Sequence, residues 1–234
     1  MPASAQENVL PIDGSGRVLA RPDRRVNSEL VVANEPFHPR AEELWALRTQ
    51  LLIRWSNRGA GHRTLAILSP GSREGRSHVA ANLAVVFSQL GERTLLIDAD
   101  LRAPRQHQIF DIPERSGLSA VLADRAYRRA LVPVPEFGML SVLPAGACPP
   151  NPQDLLSRET LAGLLNELRA EFDVILLDTP PANLYADAQS VAFRAGSVML
   201  LARKDHTRVA DSARVIRELG DTGVRIIGTV FNAF

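Results

Sequence analysis

Short runs of almost unbroken apolar residues recur along the sequence, each followed by a polar turn and then by a stretch with helical spacing. The clearest are TLAILS (Thr64–Ser69), RTLLIDADLR (Arg93–Arg102) and DVILLDTPP (Asp173–Pro181). LSVLPAG (Leu140–Gly146), SVMLLAR (Ser197–Arg203) and VRIIGTVFN (Val224–Asn232) continue the series. A strand without polar alternation has to be covered on both faces. Such strands, interleaved with amphipathic segments, define an α/β fold with a mostly parallel sheet and helices on both faces. Apolar spacing predicts helices over Pro39–Trp55, Ser77–Leu90, Glu159–Glu171 and Val209–Leu219, and short helices within 103–132. Gly91 reads as the glycine that ends the second of these.

Residues 1–35 mix Pro, Ser, Gly, Asn and Arg without periodicity and predict a flexible N-terminal tail, leaving 36–234 as one domain. Basic and acidic residues nearly cancel, 27 against 26, which gives no support for nucleic acid as a partner. No apolar run approaches the ~20 residues of a membrane span, and the N-terminus lacks the apolar core of a signal peptide. Direct membrane insertion is therefore not expected. Cys148 is the only cysteine, which excludes an internal disulfide and suits a reducing cytoplasm.

In a parallel sheet of this kind, ligands bind beyond the carboxyl ends of the strands, and the chemistry-bearing residues of this chain cluster there. After the first strand, SPGSREGRSHVAANLA has the outline of a phosphate-binding loop: Gly71, Ser72, Arg73, Glu74, Gly75, Arg76, Ser77 and His78, opening into an apolar helix. Backbone N–H groups and the positive helix end of such a turn attract an anion. Ser77 stands where a Mg²⁺-ligating hydroxyl is expected. Where the G-K-[ST] pattern has lysine, this chain has Arg76. All but one of its basic residues are arginine, the exception being Lys204, so the substitution follows the composition. Alone, the loop reads equally well as a structural turn.

Asp98 and Asp100, two residues apart at the end of the second strand, point the same way. A cation would offset their repulsion, or they cap the next helix. Asp178 closes the apolar run VILLD as the aspartate of a Walker B strand does, or else forms a local turn before Pro180. Loop, double aspartate and strand-terminal aspartate in this order are far more specific than any one of them.

With these motifs in place, the sequence from about Glu35 to Phe234 resembles the bacterial tyrosine kinases of capsule and exopolysaccharide synthesis, in particular the chain-length-determinant subgroup. IDADLRAPRQHQIF resembles that family's D-x-D-x-R motif with a following P-x-x-H. LPAGACPPNPQDLL is similar to its L-P-A-G-x-x-P-P-N-P-x-x-L-L segment, and DVILLDTPPANLYADAQ to its Walker B segment with a trailing D-A.

The resemblance implies a P-loop NTPase-like domain that uses ATP and Mg²⁺ to phosphorylate tyrosine. It would work in the cytoplasm, peripheral to the inner membrane through a membrane chain-length determinant (a polysaccharide co-polymerase), and form a homo-oligomer. It further implies that residues 71–78 cradle phosphates, that Ser77, Asp98 and Asp178 serve the metal, and that Arg102 steadies phosphate or acidic neighbours. Asp98 or Asp100 would be the base, a choice left open, and Arg76 would carry the loop cation's catalytic role. Asn232 would stand where related ATPases read adenine.

The chain departs from the family pattern at three places. Arg76 replaces the loop lysine. The E-x-x-R-x-x-R self-association motif reads Glu42, Trp45 and Arg48, without its middle arginine. No C-terminal tyrosine cluster is present, the tyrosines being Tyr127 and Tyr185. Two other readings follow: a pseudokinase scaffold, or a non-kinase ATP-dependent switch like the septum-positioning ATPases. Those ATPases carry a signature lysine at the position of Gly71.

Overall fold

The computed structural model describes residues 27–55, 63–113, 116–123 and 127–233. Its strands are β1 (Arg63–Leu68), β2 (Thr94–Asp98), β3 (Val132–Pro133), β4 (Leu140–Leu143), β5 (Val174–Asp178), β6 (Ser197–Arg203) and β7 (Arg225–Asn232). They form one sheet in the order β3-β4-β2-β5-β1-β6-β7, parallel throughout except for the β3–β4 pair. The helices are α1 (Val31–Asn34), α2 (Pro39–Trp55), α3 (Arg76–Gln89), α4 (Gln106–Ile109), α5 (Leu118–Leu122), α6 (Pro152–Ser157), α7 (Glu159–Glu171), α8 (Asp187–Ala195) and α9 (Val209–Gly220).

The apolar strands divide their side chains between two cores, as the period of two requires. Leu95, Ile97, Ile175 and Leu177 face a core shared with α7 and α8. Leu96, Val174 and Leu176 face the other, built around α3. Helix α3 is buried on nearly every side, because α2 covers the face that the sheet leaves. Trp55 of α2 meets Phe87 of α3 edge-on, with ring centroids 6.3 Å apart. Arg48 donates from Nη1 to the Val86 carbonyl at 3.0 Å, so one of the three motif positions on α2 is used to dock that helix within the domain. Gly91 lies just past α3 at φ +89°, the left-handed conformation expected of its closing glycine.

The tail predicted for 1–35 requires a correction. Residues 1–26 lie outside the described residues, but 27–35 pack on the domain, with Leu30 and Val32 buried. The buried Asn82 side chain of α3 holds this segment, accepting from Val32 N and donating to the Glu29 carbonyl. Such a long-range tether leaves no periodicity in a short sequence. Residues 103–132 contain the expected short helices, and also β3, which is too short to register as a strand. Helices α6 and α8 are not among the expected helices, although Ala188, Val191, Ala192 and Ala195 of α8 recur at helical spacing and are buried. The N-cap of α6, Asn151, accepts from Asp154 N, with Pro152 in its first turn.

Candidate active site

Because β5 lies between β1 and β2, the ends of these three strands converge: Ile67 pairs with Asp178, and Asp98 pairs with Asp178 across the other side. The loop after β1 therefore sits directly over both aspartates. It opens a cavity of about 530 Å³ lined by Ser72 through His78, Asp100, Arg102, Arg105, Glu29 and Tyr185, among others. The backbone N–H groups of Ser72 to Ser77 meet no backbone carbonyl among the described residues. Gly75, at φ +96°, turns the chain into α3. This is a concave array of donors at a helix start, and its chemistry fits a polyphosphate.

Glu74 closes one end of the loop from within. It is buried, and its Oε2 accepts from Gly71 N at 2.8 Å while Oε1 accepts from the Thr207 hydroxyl. Asn232 donates from Nδ2 to the Glu74 carbonyl at 2.9 Å. It also lines a neighbouring cavity of about 350 Å³, which His78 shares with the first. Burial pushes the His78 imidazole below its ordinary pKa.

Arg76 is folded inward and nearly buried. Its Nε donates to the Thr179 carbonyl at 2.7 Å, and Nη1 donates to the Gly71 carbonyl at 2.6 Å and to the Ser69 hydroxyl. One guanidinium thus ties the ends of β1 and β5 to the loop. Burial lowers its pKa from the usual arginine value, while Asp178, Asp100 and Glu74 oppose the shift.

The two aspartates of D-x-D are not equivalent. Asp98 is wholly buried, accepting from Asp100 N on Oδ1 and from Arg105 N and Gln106 N on Oδ2. Burial, and then the neighbouring Asp178, raise its pKa well above the carboxylate range. Asp100 accepts from Arg102 N and Ala103 N on Oδ1 and lines the cavity. Asp98 thus holds the start of α4, whereas Asp100 holds only the turn before it and also reaches the cavity.

Asp178 is wholly buried and raised by that burial, against hydrogen bonds from Ser77 and Gln106 and the charge of Arg76. Its Oδ1 has no hydrogen-bond partner among the described residues. Among the described residues no cluster of three or more His, Cys, Asp or Glu could hold a metal alone. A hydroxyl, one carboxylate with an unpartnered oxygen and a phosphate cradle suit Mg²⁺, which binds through one or two carboxylates plus phosphate and water.

Two side chains missed by sequence reading complete the site. Gln106, fully buried on α4, donates from Nε2 to Asp178 Oδ2 at 2.8 Å and to the Ser77 carbonyl at 3.1 Å. A lone glutamine in PRQHQIF carries no signal of that role. Asp187, the aspartate of the trailing D-A, grips Arg102 with both oxygens, at 2.5 and 3.3 Å, and the Tyr185 ring lies 4.1 Å from the Arg102 guanidinium carbon. Arg102 is thereby committed to a carboxylate.

The fold and the loop define a P-loop NTPase-like protein. The Mg-ADP complex of the septum site-determining protein MinD from Pyrococcus horikoshii shares that fold, with a TM-score of 0.64 at 22% identity over 74% of this chain and 71% of that one. The chain belongs to the bacterial tyrosine-protein kinases of capsule and exopolysaccharide synthesis. Tyrosine-protein kinase YwqD of Bacillus subtilis is 33% identical over 89% of this chain and 87% of its own length. Tyrosine-protein kinase wzc of Salmonella typhi is 28% identical over 90% of this chain, which spans only 29% of that longer protein. The kinase domain of Escherichia coli tyrosine kinase ETK superposes with a TM-score of 0.84 at 29% identity, covering 90% of this chain and 82% of that one. The chimerical protein CapA2B2 gives 0.82 at 30% identity over 96% and 95%. Residues 66–215 match the family described as cellulose biosynthesis protein BcsQ.

Proposed function

We propose that this chain is a Mg-ATP-dependent protein-tyrosine kinase regulating polysaccharide chain length and export. The observation that carries this reading is the position of Asp100, at the cavity wall beside the loop, while Asp98 is sealed beneath it. Residues 72–77 bind the phosphates through their amides, and Ser77 and Asp178 hold Mg²⁺, with Gln106 fixing the carboxylate. Bound Mg²⁺ neutralises charge that develops on the transferred phosphoryl group. Asp100 accepts the tyrosyl proton as the phenolic oxygen bonds the γ-phosphorus and the bond to the β-phosphate breaks; ADP leaves. Asp98 sets the turn that presents Asp100 and is not the base.

The partner in this reading is the cytoplasmic tail of a membrane chain-length determinant, and the protein acts as a homo-oligomer on the cytoplasmic face of the inner membrane. Among the described residues no helix is long and apolar enough to cross a membrane. The extra length of wzc, of which this chain spans 29%, supports a kinase that works beside another module.

One observation favours a second reading. Arg76 is anchored by three protein acceptors, which suits a nucleotide-dependent switch or pseudokinase as well as a slow enzyme. Incubating the purified chain with γ-labelled ATP and a tyrosine-containing tail peptide separates them. Label on peptide tyrosine establishes the kinase. Nucleotide binding without transfer or hydrolysis leaves the scaffold, and hydrolysis without transfer leaves the switch.

A further inference from the structure

Four arginines line the main cavity: Arg73, Arg76, Arg102 and Arg105. Three are engaged. Arg76 is held by Ser69, Gly71 and Thr179, Arg102 by Asp187, and Arg105 by Glu29 at 2.6 Å. Arg73 is exposed, and its guanidinium has no partner among the described residues. Its backbone sits at φ +58°, in the left-handed region that disfavours any residue with a side chain. Glycine would take that conformation without strain.

The β6–α9 connection holds this conformation in place. Arg203 donates from Nη1 to the Arg73 carbonyl at 2.9 Å, the His206 ring contacts the Ser72 carbonyl at 3.2 Å, and Thr207 binds Glu74. A strained residue persists only where its surroundings over-determine it, and such residues gather at functional sites. We propose that Arg73 supplies the cation that closes over the nucleotide's terminal phosphate, a task for which the anchored Arg76 is badly placed. The loop cation's two duties are thus divided: Arg76 fixes the loop floor, and Arg73 meets the ligand from the rim with a guanidinium suited to phosphate oxygens.

This assignment rests on the nucleotide reading above, and calorimetry on the whole chain separates the two. Wild type, Arg73→Gly and Arg73→Lys are titrated with Mg-ADP and with Mg²⁺ plus a non-hydrolysable ATP analogue, and each unligated protein is melted. Arg73→Gly relieves strain, so its unligated melting temperature should stay level or rise. Its affinity for the ATP analogue should fall about ten- to hundredfold, the worth of one charge-assisted contact. Mg-ADP should be affected less, and Arg73→Lys should recover most of the loss. Wild-type binding that Arg73→Gly leaves unchanged overturns the assignment alone. Equal losses of affinity for Mg-ADP and for the ATP analogue, or a lower unligated melting temperature for Arg73→Gly, overturn it in favour of a backbone role. If the wild type itself gives no heat with either nucleotide, the nucleotide reading falls and this assignment with it.

Discussion

Asp98 and Asp178 face one another in register on adjacent parallel strands, both wholly buried, and burial raises the pKa of each. Their mutual repulsion adds to the cost of charging the pair. A carboxyl whose folded pKa lies above its unfolded value binds its proton more tightly in the native state. Stability is then fully present below the ordinary carboxylate pKa and is lost as pH rises toward the raised one. Urea denaturation of the unligated protein between pH 4 and 8 should therefore show this pair pulling stability down as pH rises. Asp98→Asn should flatten that slope, and Mg-nucleotide should do so in the wild type. A slope identical in both proteins would mean that Asp98 does not titrate in this range.

Asp100→Asn keeps the shape of the turn and removes the base. Positioned general bases contribute about 10²–10⁴-fold. Labelled-phosphate transfer to a tyrosine peptide should fall by that order while Mg-ADP affinity stays within a fewfold. Comparable loss from Asp98→Asn with Asp100→Asn silent would reverse the assignment of the base.

Gln106→Leu removes the side-chain donor to Asp178 Oδ2. A buried acceptor deprived of its partner costs about 1–3 kcal/mol, which denaturation would report. Because that hydrogen bond lowers the Asp178 pKa, its loss should move the pH profile of Mg²⁺-dependent ADP binding upward. Lower stability with an unmoved profile would leave Gln106 a packing residue only.

Helix α2 is core on one side, so its two tryptophans should behave differently. Trp55→Ala empties the contact with Phe87 and should cost about 3–5 kcal/mol. Trp45 is only half-buried, so Trp45→Ala should cost less stability and, if α2 serves the proposed homo-oligomer, lower the mass seen by light scattering. Unchanged mass would confine α2 to the domain's interior.

The sheet was legible because unbroken apolar runs such as VILLD admit few other fates, and the ends of β1, β2 and β5 had to gather whatever polar residues followed them. The loop, Ser77, Asp100 and Asp178 could be read for that reason. What Asp98 and Asp100 each do was not legible, since identical side chains two residues apart differ only in which backbone amides they meet. Gln106 reaches Asp178 across 72 positions, and Glu74 reaches Thr207 across 133. Such partners depend on the finished fold. The packing of residues 27–35 was hidden in the same way, behind long-range contacts such as those of Asn82 with Val32 and Glu29 and of Arg105 with Glu29.

Arg76 makes the last prediction. On sequence grounds lysine would hold or raise activity if the loop keeps its ordinary backbone, and lower it if the loop has widened around arginine. The structure favours a loss, because the guanidinium uses its fork: Nε reaches Thr179 while Nη1 reaches Ser69 and Gly71. A lysine ammonium is one point on a flexible stem and cannot reproduce donors at two separated nitrogens. Arg76→Lys should therefore retain some of the three contacts and Arg76→Ala none. Buried acceptors left open cost about 1–3 kcal/mol each, so the unligated melting temperature should fall in the order wild type, Lys, Ala. Affinity for Mg-ADP should fall in the same order, since the loop floor sets the direction of the amides at 72–77. Turnover should drop in Arg76→Lys as well, because a loop displaced by ~1 Å can cost ~100-fold in phosphoryl transfer. A lysine form that melts like the wild type and turns over faster would show that the anchoring contacts are dispensable, and that Arg76 is a lysine substitute rather than a strut.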